Sequence, residues 1–215
     1  MENDVNIKNV VVLKHPLIQH KLTHIRKKET TSKEFKEFLN EISTLMAYEV
    51  FKDIKLEPIE IETPLKKTTG YNLAENVNFY PILRAGIGMV DGFSSVVPSA
   101  RIGHIGMYRD EKTLTPVQYL FKYPKDTEKD TFNIIIDPMI ATGNSALAAI
   151  EILKDQGIIN LTFVALLGSK EGVAKIAKKH PDVKLYLAAI DPDLNEKGYI
   201  VPGLGDAGDR IFGTK

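Results

Sequence analysis

From about residue 77 onward the chain alternates short β-rich runs with stretches of helical period, and few folds accept that rhythm. The strand-like runs are VNFYPIL (77–83), RIGHIGMY (101–108), TPVQYLFKY (115–123), FNIII (132–136), LTFVALLG (161–168) and VKLYLAAI (183–190). Between them lie AGIGMVDGFSSVV (85–97), NSALAAIEILKDQG (144–157) and KEGVAKIAKKH (170–180). Their apolar residues recur at three- and four-residue steps, and Gly157 and Pro181 act as stops. This order predicts an α/β protein with a parallel sheet flanked by helices. The polar stretch Arg109-Asp110-Glu111-Lys112-Thr113 between two alternating strands predicts an inserted antiparallel β-hairpin over about 106–130.

Ahead of this region, NVVVLKHP (Asn9–Pro16) reads as a short buried strand closed by proline. Phe35, Phe38, Leu39, Ile42, Leu45, Met46 and Val50 predict a helix from Ser32, with Ser32 as N-cap and Glu34 in the first turn. No repeat and no low-complexity linker divides the chain, so 1–215 reads as a single domain. Its C-terminal segment, 191–215, is dense in Gly, Asp and Pro without a strong period.

Lys+Arg and Asp+Glu both number 28, and a zero formal charge argues against a dedicated nucleic-acid binder. With no cysteine, disulfides and thiolate metal sites are excluded. The start is too polar for a signal peptide, and no apolar run approaches the roughly 18 residues of a membrane span. The expected location is therefore the cytoplasm. The five histidines, at 15, 20, 24, 104 and 180, form no ligand spacing.

Four segments carry chemistry. In FNIIIDPMIATGNSA (132–146) a β-branched run reaches Asp137, and a loop holding Ala141, Thr142, Gly143, Asn144 and Ser145 then opens a helix. Ligands bind at the carboxyl ends of parallel strands, and a helix N-terminus offers unpaired N–H groups to a phosphate. Thr142 and Ser145 add hydroxyl donors, and Asp137 could face ribose hydroxyls. This is neither a Walker loop nor a GxGxxG fingerprint. In PILRAGIGMVDG (81–92), Arg84 stands where a strand gives way to chain freed by Gly86 and Gly88 to approach an anion. Arg109, in GMYRDEKT (106–113), sits at the base of the predicted hairpin. Arginine presents a planar fork of donors to phosphate oxygens and stays charged. The tail GYIVPGLGDAGDRIFGTK (198–215) mixes glycines with Tyr199, Ile200, Val201, Leu204, Ile211 and Phe212, which a disordered end would lack.

These motifs, in this order, resemble those of the uracil phosphoribosyltransferase family. DPMIATGNS is similar to that family's Asp-Pro-Met-Leu-Ala-Thr-Gly-Gly-Ser loop, with Asn144 where glycine is usual, and the tail resembles its uracil-binding signature. The resemblance covers about 79–215 closely and the N-terminal third more loosely. It implies transfer of the 5-phosphoribosyl group of phosphoribosyl diphosphate (PRPP) to uracil, giving UMP and diphosphate. Binding of PRPP is implied for Arg84, Arg109, Asp206 and the run Asp137, Pro138, Met139, Ile140, Ala141, Thr142, Gly143, Asn144 and Ser145. The catalytic set implied is Arg84, Arg109 and Asp206. Uracil would meet main-chain groups of Ile200, Gly205, Asp206 and Ala207. Mg²⁺ is implied as cofactor, with Asp206 as its protein ligand and PRPP and water supplying the rest. The hairpin with Arg109 is expected to close over PRPP. The resemblance leaves GTP open as an allosteric activator and suggests a homo-oligomer, dimer or tetramer; the helix at 32–54 reads first as a core-packing helix, with a dimer contact as the alternative. The rivals are a phosphoribosyltransferase for a purine, and a regulatory protein that keeps the fold and binds UMP or RNA.

Overall fold

A computed structural model describes residues 7–109, 116–125 and 130–214. Its centre is a twisted sheet built from β1 (Val10–Val12), β4 (Val77–Leu83), β5 (Arg101–Ile102), β6 (His104–Arg109), β7 (Pro116–Lys122), β8 (Phe132–Ile136), β9 (Met139–Ile140), β10 (Leu161–Ser169) and β11 (Lys184–Asp191). The order is β1-β11-β10-β8-β4-β6-β7, with β5 also on β4 and β9 also on β10. Every pairing is parallel except that of β6 with β7. Parallel strands are buried on both faces, which is why their sequences read as continuous apolar runs.

Successive side chains on the strands alternate between two cores. Val77 and Phe79 of β4, Ile134 and Ile136 of β8, and Val164 of β10 face one layer. Helices α1 (Pro16–Arg26), α2 (Ser32–Val50), α3 (Ile87–Val96) and α6 (Ala207–Phe212) supply side chains to that layer. Tyr80, Ile82, Ile135 and Phe163 face the other, with α4 (Asn144–Asp155) and α5 (Lys170–Lys179). Further elements are a separate hairpin of β2 (Leu56–Glu62) and β3 (Lys67–Leu73), and a short pair, β12 (Asp193–Leu194) with β13 (Ile200–Val201).

Several expectations need correction. The N-cap of α2 is Thr31, not Ser32. The Thr31 side chain accepts from the Glu34 N–H at 3.3 Å and Glu34 Oε2 accepts from the Thr31 N–H at 2.9 Å, a capping box one residue earlier than read. Pro16 opens α1 rather than closing a strand, because proline's missing N–H costs nothing at a helix's first position. The strand at 101–108 is split at Gly103, where a Cβ would lie 2.7 Å from the Tyr80 ring. The expected antiparallel hairpin is that of β6 and β7: β6 runs parallel to β4 and β7 forms the sheet's edge. Its tip, 110–115, and residues 126–129 lie outside the described residues. Finally, the apolar stripe of α2 is not a free contact surface: Phe35, Leu39, Ile42 and Met46 are each 0% exposed in the core.

Candidate active site

The carboxyl ends of β4 and β8 open towards the C-terminal segment, and the residues singled out above gather there. After β8 the chain passes Asp137 and Pro138, adds β9 alongside β10, and turns through Ala141–Gly143 into α4. Gly143 takes φ +77°, where L side chains are strained, and makes no side-chain cap for α4. The first N–H groups of the helix are thus left for an anion. A cleft of about 140 Å³ is lined here by Pro116, Asp137, Met139 to Ala146, and Gly198. Pro138 is buried and does not line it; its carbonyl accepts from the Leu167 N–H at 2.9 Å.

The loop is braced from α5. The Ser169 hydroxyl donates to the Ala141 carbonyl at 2.6 Å and accepts from the Gly172 N–H at 2.9 Å, capping α5. A Cβ on Gly172 would stand 2.2 Å from the Ala141 oxygen, so only glycine permits this approach. Asn144 is engaged by Lys175, whose Nζ lies 2.6 Å from its Oδ1. Sequence reasoning missed Ser169, Gly172 and Lys175; Ser-x-x-Gly at a strand-to-helix junction was the only local signal.

Asp137 holds the junction of two clefts. It accepts from the Met139 N–H at 3.3 Å, and burial pushes its carboxyl up to about 7, against that hydrogen bond. The second cleft, about 350 Å³, shares Asp137, Met139, Ala141 and Gly198 with the first. It adds Ala85, Tyr199, Ile200 and Gly205 to Gly208. Thr142 and Asp206 therefore flank one continuous hollow.

Arg84 follows β4 directly, and its guanidinium is 3.9 Å from Asp209 and 5.6 Å from the centre of the Phe212 ring. With 60% of the side chain exposed, that ion pair is weak and the arginine is available to an anionic ligand. Gly86 and Gly88 also meet a packing requirement. A Cβ on Gly86 would stand 2.4 Å from the Ile136 carbonyl, and one on Gly88 would meet Leu39 and Ile211 at 2.9 and 3.0 Å. Both are packing glycines, and they press the turn bearing Arg84 against β8, α2 and α6. Arg109 ends β6 opposite Pro116, itself in the wall of the first cleft; its side chain lies outside the described residues.

The C-terminal segment is ordered by contacts that carry little local signature. Asp206 caps α6 by accepting from the Asp209 N–H at 2.9 Å. Burial of Ile211, 2% exposed, anchors the helix with roughly 1.5–3 kcal/mol. Arg210 stacks on Phe35 at 4.6 Å and donates to the carbonyls of Leu204 and Ile25. Arg26 and Asp191 grip Gly203 from the other side. The same segment also lines a wider cleft of about 740 Å³, where Ile200, Gly205 and Asp206 face Arg26, Lys28, Thr30 and Ser32.

Among the described residues no group of three or more His, Cys, Asp or Glu could hold a metal, and no helix is long and apolar enough to cross a membrane.

Comparisons with known proteins agree on the family. Residues 12–214 match the model of the uracil phosphoribosyltransferase family. A uracil phosphoribosyltransferase of Streptococcus salivarius is 55% identical over 95% of this chain and 98% of its own length. One from Mycoplasma mycoides subsp. mycoides is 57% identical over 94% and 98%. A solved protein structure from Aquifex aeolicus superposes with a TM-score of 0.89 at 36% identity, covering 94% of this chain and 97% of that one. An adenine phosphoribosyltransferase from Trypanosoma brucei, 12% identical with a TM-score of 0.59 and coverage of 92% and 88%, shares the fold.

Proposed function

Since the chain belongs to the uracil phosphoribosyltransferase family and transfers the 5-phosphoribosyl group of PRPP to uracil, giving UMP and diphosphate in pyrimidine salvage, we propose how its residues divide that work. The single observation carrying the proposal is the hollow that Asp137, Met139, Ala141 and Gly198 make continuous between the loop before α4 and the C-terminal segment. The 5′-phosphate of PRPP seats on the N–H groups opening α4, with Thr142 and Ser145 donating hydroxyl hydrogen bonds. Asp137 takes the ribose hydroxyls. Arg84 and Arg109 neutralise the diphosphate as the C1–O bond stretches and charge accumulates on the leaving group.

Uracil lies against Ile200 and Gly205–Ala207. Its edge reads acceptor, donor, acceptor, and main-chain N–H and C=O groups match that order without side-chain freedom. The carbon–nitrogen bond forms as the carbon–oxygen bond breaks, through a transition state rich in oxocarbenium character. Positioning and fixed dipoles supply the acceleration, so no nucleophilic side chain is needed.

Mg²⁺ suits this site as an ion arriving with PRPP, since it binds through phosphate oxygens, waters and one or two carboxylates rather than a protein cage. Asp206, exposed at the hollow, is the ligand; Asp137, largely protonated below neutrality, is the poorer one. When bound, the ion spreads the diphosphate charge.

Two regulatory features complete the proposal. GTP activates the enzyme, as the family resemblance allows, but the cleft bearing Lys28, Thr30 and Ser32 is not assigned to it, because Ile200, Gly205 and Asp206 line that cleft too. The chain forms a homo-oligomer, with the β2–β3 hairpin as contact in place of α2, because Leu65, Tyr71 and Leu56 on it are 94%, 66% and 56% exposed. Light scattering on the purified chain checks this: a dimer or larger mass is expected, and a monomer at micromolar concentration contradicts it.

The decisive assay follows UMP and diphosphate with a panel of bases. Uracil should be used and cytosine rejected by about 10⁴-fold or more, because its amino group puts a donor against a buried N–H. Arg84→Ala should lower kcat/KM for PRPP by about 10²-fold or more without loss of fold. Comparable turnover of cytosine or hypoxanthine would overturn the base pocket.

A further inference from the structure

The turn that presents the base-reading backbone is held by Arg26, Asp191 and Arg210, none of which lines the hollow around Asp137, although Arg26 and Arg210 line the wider cleft on the segment's other side. Gly203 sits at its centre with φ +59°, and a Cβ there would stand 2.0 Å from the Ile200 carbonyl oxygen. Its N–H donates to Asp191 Oδ2 at 2.8 Å, and its carbonyl accepts from Arg26 Nη1 at 2.8 Å. Arg26 also forms a two-pronged pair with the same carboxylate, Nη1 to Oδ2 at 2.7 Å and Nη2 to Oδ1 at 2.8 Å. Asp191 is only 6% exposed. One residue later the Leu204 carbonyl accepts from Arg210 Nη1, which also bonds the Ile25 carbonyl at the end of α1.

We infer that Arg26 and Asp191 are positioning residues that set the enzyme's selectivity for uracil, by fixing both polar groups of Gly203 and hence the spacing between Ile200 and Gly205–Ala207. The inference rests on the proposed main-chain reading of the base. A reading edge made of backbone has no rotamers to adjust, so its register depends on what grips the turn from behind. A buried carboxylate must stay paired, since an unpaired charge in that place is costly, and lysine can supply the charge but not the fork geometry. The chain thereby ties β11, the last helix turn of α1 and the base segment at one point, while the phosphate loop hangs on a separate brace through Ser169 and Gly172.

The test is steady-state kinetics on R26Q, R26K and D191N, varying uracil and PRPP separately, with cytosine as competing substrate and a melting curve for each. The expected result is a rise of about tenfold or more in the KM for uracil and an equal fall in uracil-over-cytosine preference, with the KM for PRPP within about twofold. R26K, which keeps the charge and one bond, should fall between wild type and R26Q. A folded variant with unchanged uracil KM and unchanged preference overturns the inference. So does a loss in which both KM values and the melting temperature move together, as a general loosening would give. Should R26Q and D191N fail to fold, R26K decides by the same two readings. If the unaltered enzyme itself fails to distinguish the bases, the main-chain reading falls, and the selectivity role of the clamp falls with it; PRPP-dependent UMP formation is unaffected by that outcome.

Discussion

At the scale of single residues, Asp137 shows how burial and function pull against each other. Its carboxyl is pushed up to about 7 from 3.8, because desolvation outweighs the Met139 hydrogen bond. The folded protein therefore holds a proton on Asp137 that the unfolded chain has released between those values. That favours folding below about pH 4 and is lost as pH rises towards 7, at a cost of a few kcal/mol at most, roughly 1.4 per unit. Asp137→Asn should flatten this slope, leaving the variant more heat-stable than wild type at pH 8, as calorimetry across pH 4–8 would register. It should also weaken kcat/KM for PRPP. In wild type, that parameter should gain with rising pH through about 7, a gain the asparagine variant lacks once the titration of PRPP itself is subtracted. A steeper melting loss for Asn than for Asp at pH 8 would contradict the assignment. Asp137 was legible in the sequence because it ends a β-branched run before a Thr-Gly helix start. Arg26, Asp191 and Arg210 were not, since the pairings Arg26 to Asp191 and Arg210 to Ile25 span 165 and 185 residues of sequence.

Among elements, the junctions matter more than the strands. The β4, β8 and β10 strands announce themselves through apolar runs that two-sided burial demands, and α4 and α5 through their period. α1 escaped because its Pro16 reads equally as a terminator, and β2 and β3 escaped because both faces are largely exposed, which erases the alternation. The six-residue α6 is too short to show a period and is held by its cap and Ile211 instead. Two substitutions separate structural from functional junctions. Thr31→Ala removes one arm of the α2 capping box and should cost about 1 kcal/mol in denaturant unfolding with unchanged kinetic constants. Gly172→Ala forces α5 off the Ala141 carbonyl and should cost about 1–3 kcal/mol together with a raised KM for PRPP. Equal kinetic damage from both would show that the brace on the phosphate loop has no special role.

For the molecule as a whole, neutral charge and absence of cysteine named nothing, whereas the order of the motifs along the chain carried the family. What sequence could not give is that Thr142 and Asp206 flank one hollow, with Arg84 just beyond Ala85 in its wall, since only the parallel pairing of β4 with β8 sets their carboxyl ends side by side. Calorimetric titration of PRPP into wild type, Thr142→Ala, Arg84→Ala and the double variant tests that convergence directly. Each single change should weaken binding by about 10- to 100-fold at unchanged melting temperature, and the double change more than either. Affinity for PRPP that survives the double substitution intact would mean that these segments do not hold the sugar diphosphate between them.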